Sequence, residues 1–139
     1  MTTIAFDGKT IASDSQLTGD YIDPIHGDKI KRVNGSVIGM AGDCAQWQLF
    51  IRWYKDQTKP KPDPKHLDDF HALIIKDGKI YETTELCELV EIGVPAACGS
   101  GGMFAIAAMM AGADAKKAVS IAMKLDPYTG GKIKTVKIK

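Results

Sequence analysis

Three two-residue turns constrain the fold of this chain more than any other feature of its sequence. Asp7-Gly8, Asn34-Gly35 and Asp77-Gly78 each lie between short apolar runs. Asn-Gly and Asp-Gly favour the left-handed turn conformations that join neighbouring antiparallel strands. The sequence therefore predicts three β-hairpins, formed by 2–6 with 9–14, 29–34 with 36–41, and 71–76 with 79–83.

Three helices are predicted between and after these hairpins. Asp43 is a candidate N-cap for a helix that ends near residue 57. Its apolar stripe at helical spacing is Trp47, Phe50, Ile51 and Tyr54. Gly99-Ser100-Gly101-Gly102 precedes a second helix over 103–111, which is apolar nearly all round and is expected to be buried between layers. Asp114 is the candidate cap of a third helix, which ends near Lys124.

The remaining segments complete an α+β pattern. Residues 15–28 are polar and predict a loop, and the prolines within 57–65 predict an extended connector. Further strands are expected over 86–92, 94–98 and 132–139. Antiparallel strands with grouped helices indicate the α+β class rather than a parallel α/β sheet, in a single domain over 1–139.

Composition excludes several classes of function. The 139 residues carry a net charge of +1, which favours neither a nucleic-acid partner nor a membrane surface. No apolar run reaches membrane-spanning length, and the start does not resemble a signal peptide. Cys44, Cys87 and Cys98 lack CxxC spacing, which is typical of a reduced cytoplasmic protein. His66 and His71 fit no standard ligand spacing, so no metal or other cofactor is expected.

Thr2 combines two catalytic groups if Met1 is removed. A threonine hydroxyl is a weak nucleophile unless a base takes its proton, and an N-terminal threonine supplies that base from its own amine. Because the α-amine has a reference pKa of about 7.7–8.0, much of it is unprotonated near neutral pH. Many chains begin Met-Thr without any such chemistry, so this feature needs support from the rest of the sequence.

Several segments together resemble the proteasome β-subunit family, and within it the bacterial HslV-type peptidases. They are TTIAFDGKTIASDS, DKIKRV, IGMAGD, ACGSGGMFAIAAMMAGADAKKAV and DPYTGGKI. The resemblance covers nearly the whole chain apart from about residues 57–70. It implies the N-terminal-nucleophile hydrolase fold, a four-layer αββα sandwich of antiparallel sheets. Because residues 58–64 are broken by prolines where the family has a second long helix, a reduced helical layer is expected.

The resemblance also implies roles for individual residues. Thr2 matches the nucleophile, and Lys29 a buried lysine whose charge would help the hydroxyl lose its proton. Asp14 matches the acidic position beside them and is the counter-charge that a buried lysine needs. Gly42 matches the glycine whose N–H stabilises the oxyanion.

The resemblance assigns five further residues. Ser100 would bind the Thr2 amine, and Asp126 and Thr129 would position Thr2. Met40 and Cys44 would form a small apolar pocket for the residue before the cut.

Simpler interpretations of these residues stay open at this stage. Lys29 could be a surface lysine, and Gly42 a turn glycine. The glycine-rich segment 99–102 could hold a phosphate, although it lacks the lysine of a P-loop, and 126–131 could be an ordinary turn.

The implied activity is that of a threonine-type endopeptidase acting on unfolded polypeptides. The implied partners are further copies in a homo-oligomeric ring and an AAA+ unfoldase ATPase. Two alternatives remain, a catalytically inactive assembly subunit and an N-terminal-nucleophile amidase acting on a small amide.

Overall fold

Eleven short strands and three helices make up the described part of the chain, which in this computed structural model comprises residues 2–19, 21–23 and 27–138. Met1 lies outside it, as do residues 20 and 24–26 of the predicted loop and residue 139 of the predicted last strand. The helices are α1 (Cys44–Lys55), α2 (Gly102–Met110) and α3 (Ala115–Leu125). The strands are β1 (Ile4–Phe6), β2 (Thr10–Ser13), β3 (Leu17–Thr18), β4 (Ile22–Asp23), β5 (Ile30–Val33), β6 (Ser36–Gly42), β7 (Phe70–Lys76), β8 (Lys79–Thr83), β9 (Val90–Ile92), β10 (Ala96–Cys98) and β11 (Lys134–Lys137).

The three predicted hairpins are present and belong to two antiparallel sheets. One sheet has the strand order β10-β1-β2-β11, and the other β5-β6-β7-β8-β9. Asn34 and Asp77 adopt φ values of 51° and 52°, as a two-residue hairpin turn requires. The predicted loop over 15–28 contains a short hairpin of its own, β3 with β4, which its polar composition did not indicate.

The sheets and helices stack as four layers. The alternation of side chains along a strand explains the order of the layers. Ile4 and Phe6 of β1 point into the core between the two sheets, whereas Ala5 points to the opposite face, where α2 and α3 pack. The outer face of the five-stranded sheet is covered by α1. The predicted α+β sandwich with a reduced helical layer is therefore confirmed, since α1 is the long helix on that side within the described residues.

Helix α1 begins and packs as its sequence predicts. The Asp43 carboxylate accepts a hydrogen bond from the Ala45 N–H and so caps the first turn. All four residues of the predicted stripe are buried. The proline-containing connector then ends in a 3₁₀ turn over Pro64–Leu67, and Leu67 is fully buried in the same core.

Helix α2 differs from its prediction. It was expected to be buried between layers, but the side chains of Met103 and Met110 are 79% and 74% exposed. The helix lies in an outer layer and directs its small residues, such as Ala105, toward the sheet. The prediction of burial rested on the apolar residues around nearly the whole helix, whereas the fold covers only one side of it. None of the helices in the described segments is long and apolar enough to cross a membrane.

Candidate active site

Thr2, Lys29 and Asp14 meet at one end of the two sheets. Thr2 precedes β1, Asp14 follows β2 and Lys29 precedes β5, so the two hairpins bring the three residues together. Lys29 Nζ donates to Thr2 Oγ1 at 2.8 Å and to Asp14 Oδ1 at 3.0 Å. The side chains of Lys29 and Asp14 are fully buried, and Thr2 is only 1% exposed. The interpretation of Lys29 as a surface lysine is therefore wrong.

Burial alters the protonation of Lys29. Loss of water around its ammonium group lowers the pKa of Lys29, and the negative charge of Asp14 opposes this effect only in part. A lysine with a lowered pKa in direct contact with a hydroxyl can take part in moving the hydroxyl proton. Loss of that proton is what makes a hydroxyl an effective nucleophile in general.

Asp14 also fixes the backbone around the site. Its Oδ1 accepts a hydrogen bond from the Thr3 N–H at 3.1 Å, and its Oδ2 accepts one from the Gly130 N–H at 3.1 Å. One carboxylate thus joins the start of β1, the buried lysine and the turn that follows α3. The amide end of the Gln16 side chain packs against Gly130, where a Cβ would overlap it.

A second group of polar side chains surrounds the backbone nitrogen of Thr2. This nitrogen donates to Ser100 Oγ at 3.1 Å, and the Ser100 hydroxyl donates to Asp126 Oδ2 at 2.6 Å. Thr129 Oγ1 donates to the same carboxylate oxygen at 2.6 Å. The structure therefore brings together the predicted residues Ser100, Asp126 and Thr129 on the nitrogen side of Thr2.

Hydrogen bonds determine the charge state of Asp126. Partial burial acts to raise its pKa, but donation from Ser100, Thr129 and the Tyr128 N–H outweighs burial and lowers the pKa below 3.8. Asp126 is therefore a carboxylate near neutral pH and orients the Ser100 hydroxyl toward Thr2.

Thr3 is a member of this group that the sequence did not reveal. Its hydroxyl and that of Thr129 are hydrogen bonded at 2.8 Å, and its side chain is fully buried. Gly101 passes so close that a Cβ there would overlap Thr3 Oγ1. The two adjacent threonines, Thr2 and Thr3, were the sequence feature that could have indicated this role. The hydrogen bond itself joins Thr3 to a residue 126 positions away in the chain.

Gly42 ends β6 beside Thr2, in a conformation suited to glycine. Its φ is +94°, and an added Cβ would overlap the backbone carbonyl of Asp69. Glycine is therefore required by close packing within the chain itself. Gly42 and Thr2 line the same cavity of about 290 Å³.

A larger cavity of about 460 Å³ adjoins the first, and Cys44 lines both. Met40 is buried in its wall, so the structure places both predicted pocket residues in one cavity. The prediction of an apolar pocket is incomplete, because charged side chains also line this cavity. They are Asp28, Lys31, Arg32 and Lys55.

The other residues considered from sequence lie apart from this centre. His66 is part of the 3₁₀ turn, and His71 Nε2 lies 3.3 Å from Glu82 Oε2. No group of three or more His, Cys, Asp or Glu side chains in the described segments could hold a metal ion. Cys98 is buried, which raises the pKa of its thiol to about 12.

Comparison with known proteins identifies the fold. No family model and no curated protein sequence matches the chain. Among solved structures, Thiobacillus denitrificans BPH in complex with epoxomicin superposes with a TM-score of 0.78 at 18% identity, covering 100% of this chain and 98% of that one. Another structure of Thiobacillus denitrificans BPH gives 0.73 at 18% identity, with 99% and 97% covered. HslV from Trypanosoma brucei gives 0.73 at 22% identity, with 99% and 98% covered. The chain therefore has the HslV-type fold of proteasome β-subunits, as the sequence resemblance predicted.

Proposed function

We propose that this chain is a threonine-type endopeptidase whose nucleophile is the Thr2 hydroxyl. The observation that carries the proposal is the 2.8 Å contact between Lys29 Nζ and Thr2 Oγ1. Lys29 and Asp14 form a fully buried ion pair, so a polar centre is kept at considerable desolvation cost. Buried ionisable groups with shifted pKa values beside a cavity are more typical of functional sites than of ordinary cores.

The proposed base is the α-amine of Thr2, which is free once Met1 is removed. The amine takes the proton from Oγ1 as this oxygen attacks the peptide carbonyl, while the Gly42 N–H stabilises the oxyanion. The ammonium group then protonates the departing amine, which leaves an ester on Thr2. Water gives one proton to the amine and attacks the ester, which releases the acid and restores Thr2. Ser100 supports this role because its hydroxyl lies 3.1 Å from the Thr2 nitrogen.

The proposed substrates are unfolded polypeptides. Two adjoining cavities of about 290 and 460 Å³ offer room for several residues of a peptide, more than a small amide needs. The related Thiobacillus denitrificans BPH has been solved with epoxomicin bound. We further propose a homo-oligomeric ring of this chain, an AAA+ unfoldase ATPase as its partner and the cytoplasm as its location, all by analogy with HslV.

The test combines intact mass with peptide hydrolysis. We expect mature, active protein to begin at Thr2. Thr2→Ala should lower the turnover of a fluorogenic peptide by about 10³-fold or more, since the nucleophile is lost. Thr135→Ala, at an exposed site on β11, is the matched control and should keep full turnover. Undiminished hydrolysis by Thr2→Ala, or full activity in protein that retains Met1, would contradict the proposal.

The apolar outward surface of α2 favours a second candidate, an assembly subunit without catalytic activity. Met103 and Met110 are exposed there, as expected of a surface that contacts another protein. Labelling with a peptide electrophile separates the two candidates. Covalent addition to Thr2 in native protein supports the peptidase, whereas absence of labelling in protein that begins at Thr2 supports the assembly subunit.

A further inference from the structure

A chain of hydrogen bonds leads from the hydroxyl group of Thr3 to the nitrogen of Thr2. Thr3 Oγ1 lies 2.8 Å from Thr129 Oγ1, and the Thr129 hydroxyl donates to Asp126 Oδ2 at 2.6 Å. The same carboxylate oxygen accepts from Ser100 Oγ at 2.6 Å, and Ser100 Oγ accepts from the Thr2 nitrogen at 3.1 Å. The hydroxyl of Thr3 is therefore connected to the nitrogen that becomes the proposed base.

The carboxylate of Asp126 determines the direction of these hydrogen bonds. A carboxylate only accepts, so the single hydroxyl proton of Thr129 is used in donating to Asp126. The hydrogen bond between Thr129 and Thr3 is then made by the hydroxyl proton of Thr3. Thr129 thus accepts from one neighbour and donates to the other. Hydrogen bonds that share a hydroxyl in this way polarise and strengthen one another.

The Thr3 side chain is enclosed by the segments that hold Thr2. It is fully buried, so it cannot touch a substrate. A Cβ on Gly101 would overlap Thr3 Oγ1 and lie 3.0 Å from Thr129 Oγ1, so the turn that carries Ser100 packs against both hydroxyls. The Gly101 N–H also donates to the Thr2 carbonyl at 3.1 Å. The Thr3 hydroxyl can therefore act on Thr2 through this turn and through Thr129.

We propose that Thr3 is a positioning residue whose hydroxyl orients Thr129 and, through Asp126 and Ser100, the α-amine of Thr2. This inference rests on the proposed function, in which that amine takes the proton from Oγ1. Donation from Thr3 makes Thr129 a stronger donor to Asp126, which directs part of the carboxylate charge away from Ser100. Ser100 Oγ is then a weaker acceptor for the ammonium form of the amine, so the free amine is favoured.

The other titratable groups around Thr2 make no hydrogen bond to the Thr3 hydroxyl. Lys29 and Asp14 lie on the hydroxyl side of Thr2, and Asp14 accepts from the backbone N–H of Thr3. The cavity that contains Thr2 is also lined by Asp43, Cys44 and Asp69. A substitution that removes only the hydroxyl of Thr3 leaves all of these groups in place.

Three substitutions separate the hydroxyl of Thr3 from its shape. Thr3→Ser and Thr3→Ala differ only in the hydroxyl group, and Thr3→Val keeps the size of threonine without it. Each protein is released from an N-terminal ubiquitin fusion, so that it begins at Thr2. Thr3→Ala and Thr3→Val should lower kcat for a fluorogenic peptide by about 10- to 100-fold at unchanged KM, because the base is misplaced. Thr3→Ser should keep most of kcat, and the control Thr135→Val, at an exposed site on β11, should keep all of it.

The pKa of the Thr2 α-amine is a second readout, which needs no turnover. It is measured from the ¹³Cα chemical shift of Thr2 during a pH titration of protein with labelled threonine. Loss of the Thr3 hydroxyl should raise this pKa by about 0.1 to 0.7, because the ammonium form gains a better acceptor in Ser100. Thr3→Ser should give the same pKa as the wild-type protein.

Two outcomes overturn the inference. One is wild-type values of both kcat and the amine pKa in Thr3→Ala, and the other is an equal fall of kcat in Thr3→Ser and Thr3→Ala. The inference and the proposed function also fail separately. Peptide hydrolysis that is insensitive to loss of the Thr3 hydroxyl contradicts only the positioning role. A wild-type protein without hydrolysis, in which Thr3→Ala still raises the amine pKa, contradicts only the peptidase.

Discussion

At the scale of single residues, Asp126 connects the turn after α3 to the nitrogen side of Thr2. Its carboxylate accepts hydrogen bonds from Ser100, Thr129 and the Tyr128 N–H. We expect Asp126→Asn to lower the free energy of unfolding by about 1.5–3 kcal/mol at pH 7, the usual contribution of a hydrogen bond to a charged group. Urea denaturation of both proteins measures this difference.

The pH dependence of that difference follows from the lowered pKa of Asp126. Because the folded-state pKa lies below the ordinary value of 3.8, the charged form stabilises the fold above pH 3.8. This stabilisation is lost as the pH falls through the folded-state pKa. The gap between wild type and Asp126→Asn should therefore be full at pH 7 and shrink below pH 3.8. Asp77→Asn, in an exposed hairpin turn, serves as control, and a gap independent of pH would contradict the argument.

The sequence allowed several residues of the site to be predicted, but not all of the contacts between them. Thr2, Lys29 and Asp14 were predicted because each matches a position of the proteasome β-subunit family in the same order along the chain. Thr3 was not, because its hydrogen bond to Thr129 exists only after the turn that follows α3 folds back onto β1. The charges around the larger cavity were missed for a similar reason, since they come from separate parts of the chain: Asp28 before β5, Lys31 and Arg32 on β5, and Lys55 on α1.

At the scale of elements, the spacing between the two sheets depends on a glycine. Gly39 on β6 faces β1 and β2, and a Cβ there would lie 2.6 Å from Ile4 Cγ2 and 3.0 Å from Ile11 Cδ1. We expect Gly39→Ala to destabilise the protein by about 1–3 kcal/mol, because the added methyl group overpacks the core between the sheets. The midpoint of urea unfolding measures the effect. Gly93→Ala, where no atom lies within 4 Å of the added carbon, is the control and should change little.

Hairpins and helix caps were predictable because they depend on neighbouring residues. Asn34-Gly35 and Asp77-Gly78 determine their turns locally, and Asp43 caps α1 through a backbone N–H two residues away. Burial of α2 was not predictable in the same way. Its exposure depends on which layers the fold places around it, and the apolar residues on its outer side gave the opposite indication.

At the scale of the whole molecule, the outward side of α2 leads to a prediction about association. Met103 and Met110 lie one above the other on this side and are 79% and 74% exposed. If copies of the chain form the proposed ring through this surface, native mass spectrometry should give a multiple of 15.0 kDa. Met103→Lys/Met110→Lys should shift the native mass to that of one chain without altering the circular dichroism, because neither side chain is part of the core.

Leu86→Lys is a control for this double variant, at another apolar position that is 58% exposed, and should leave the assembly intact. A native mass of one chain for the wild-type protein would remove the ring from the proposal, and an assembly that survives the double substitution would place its interface elsewhere.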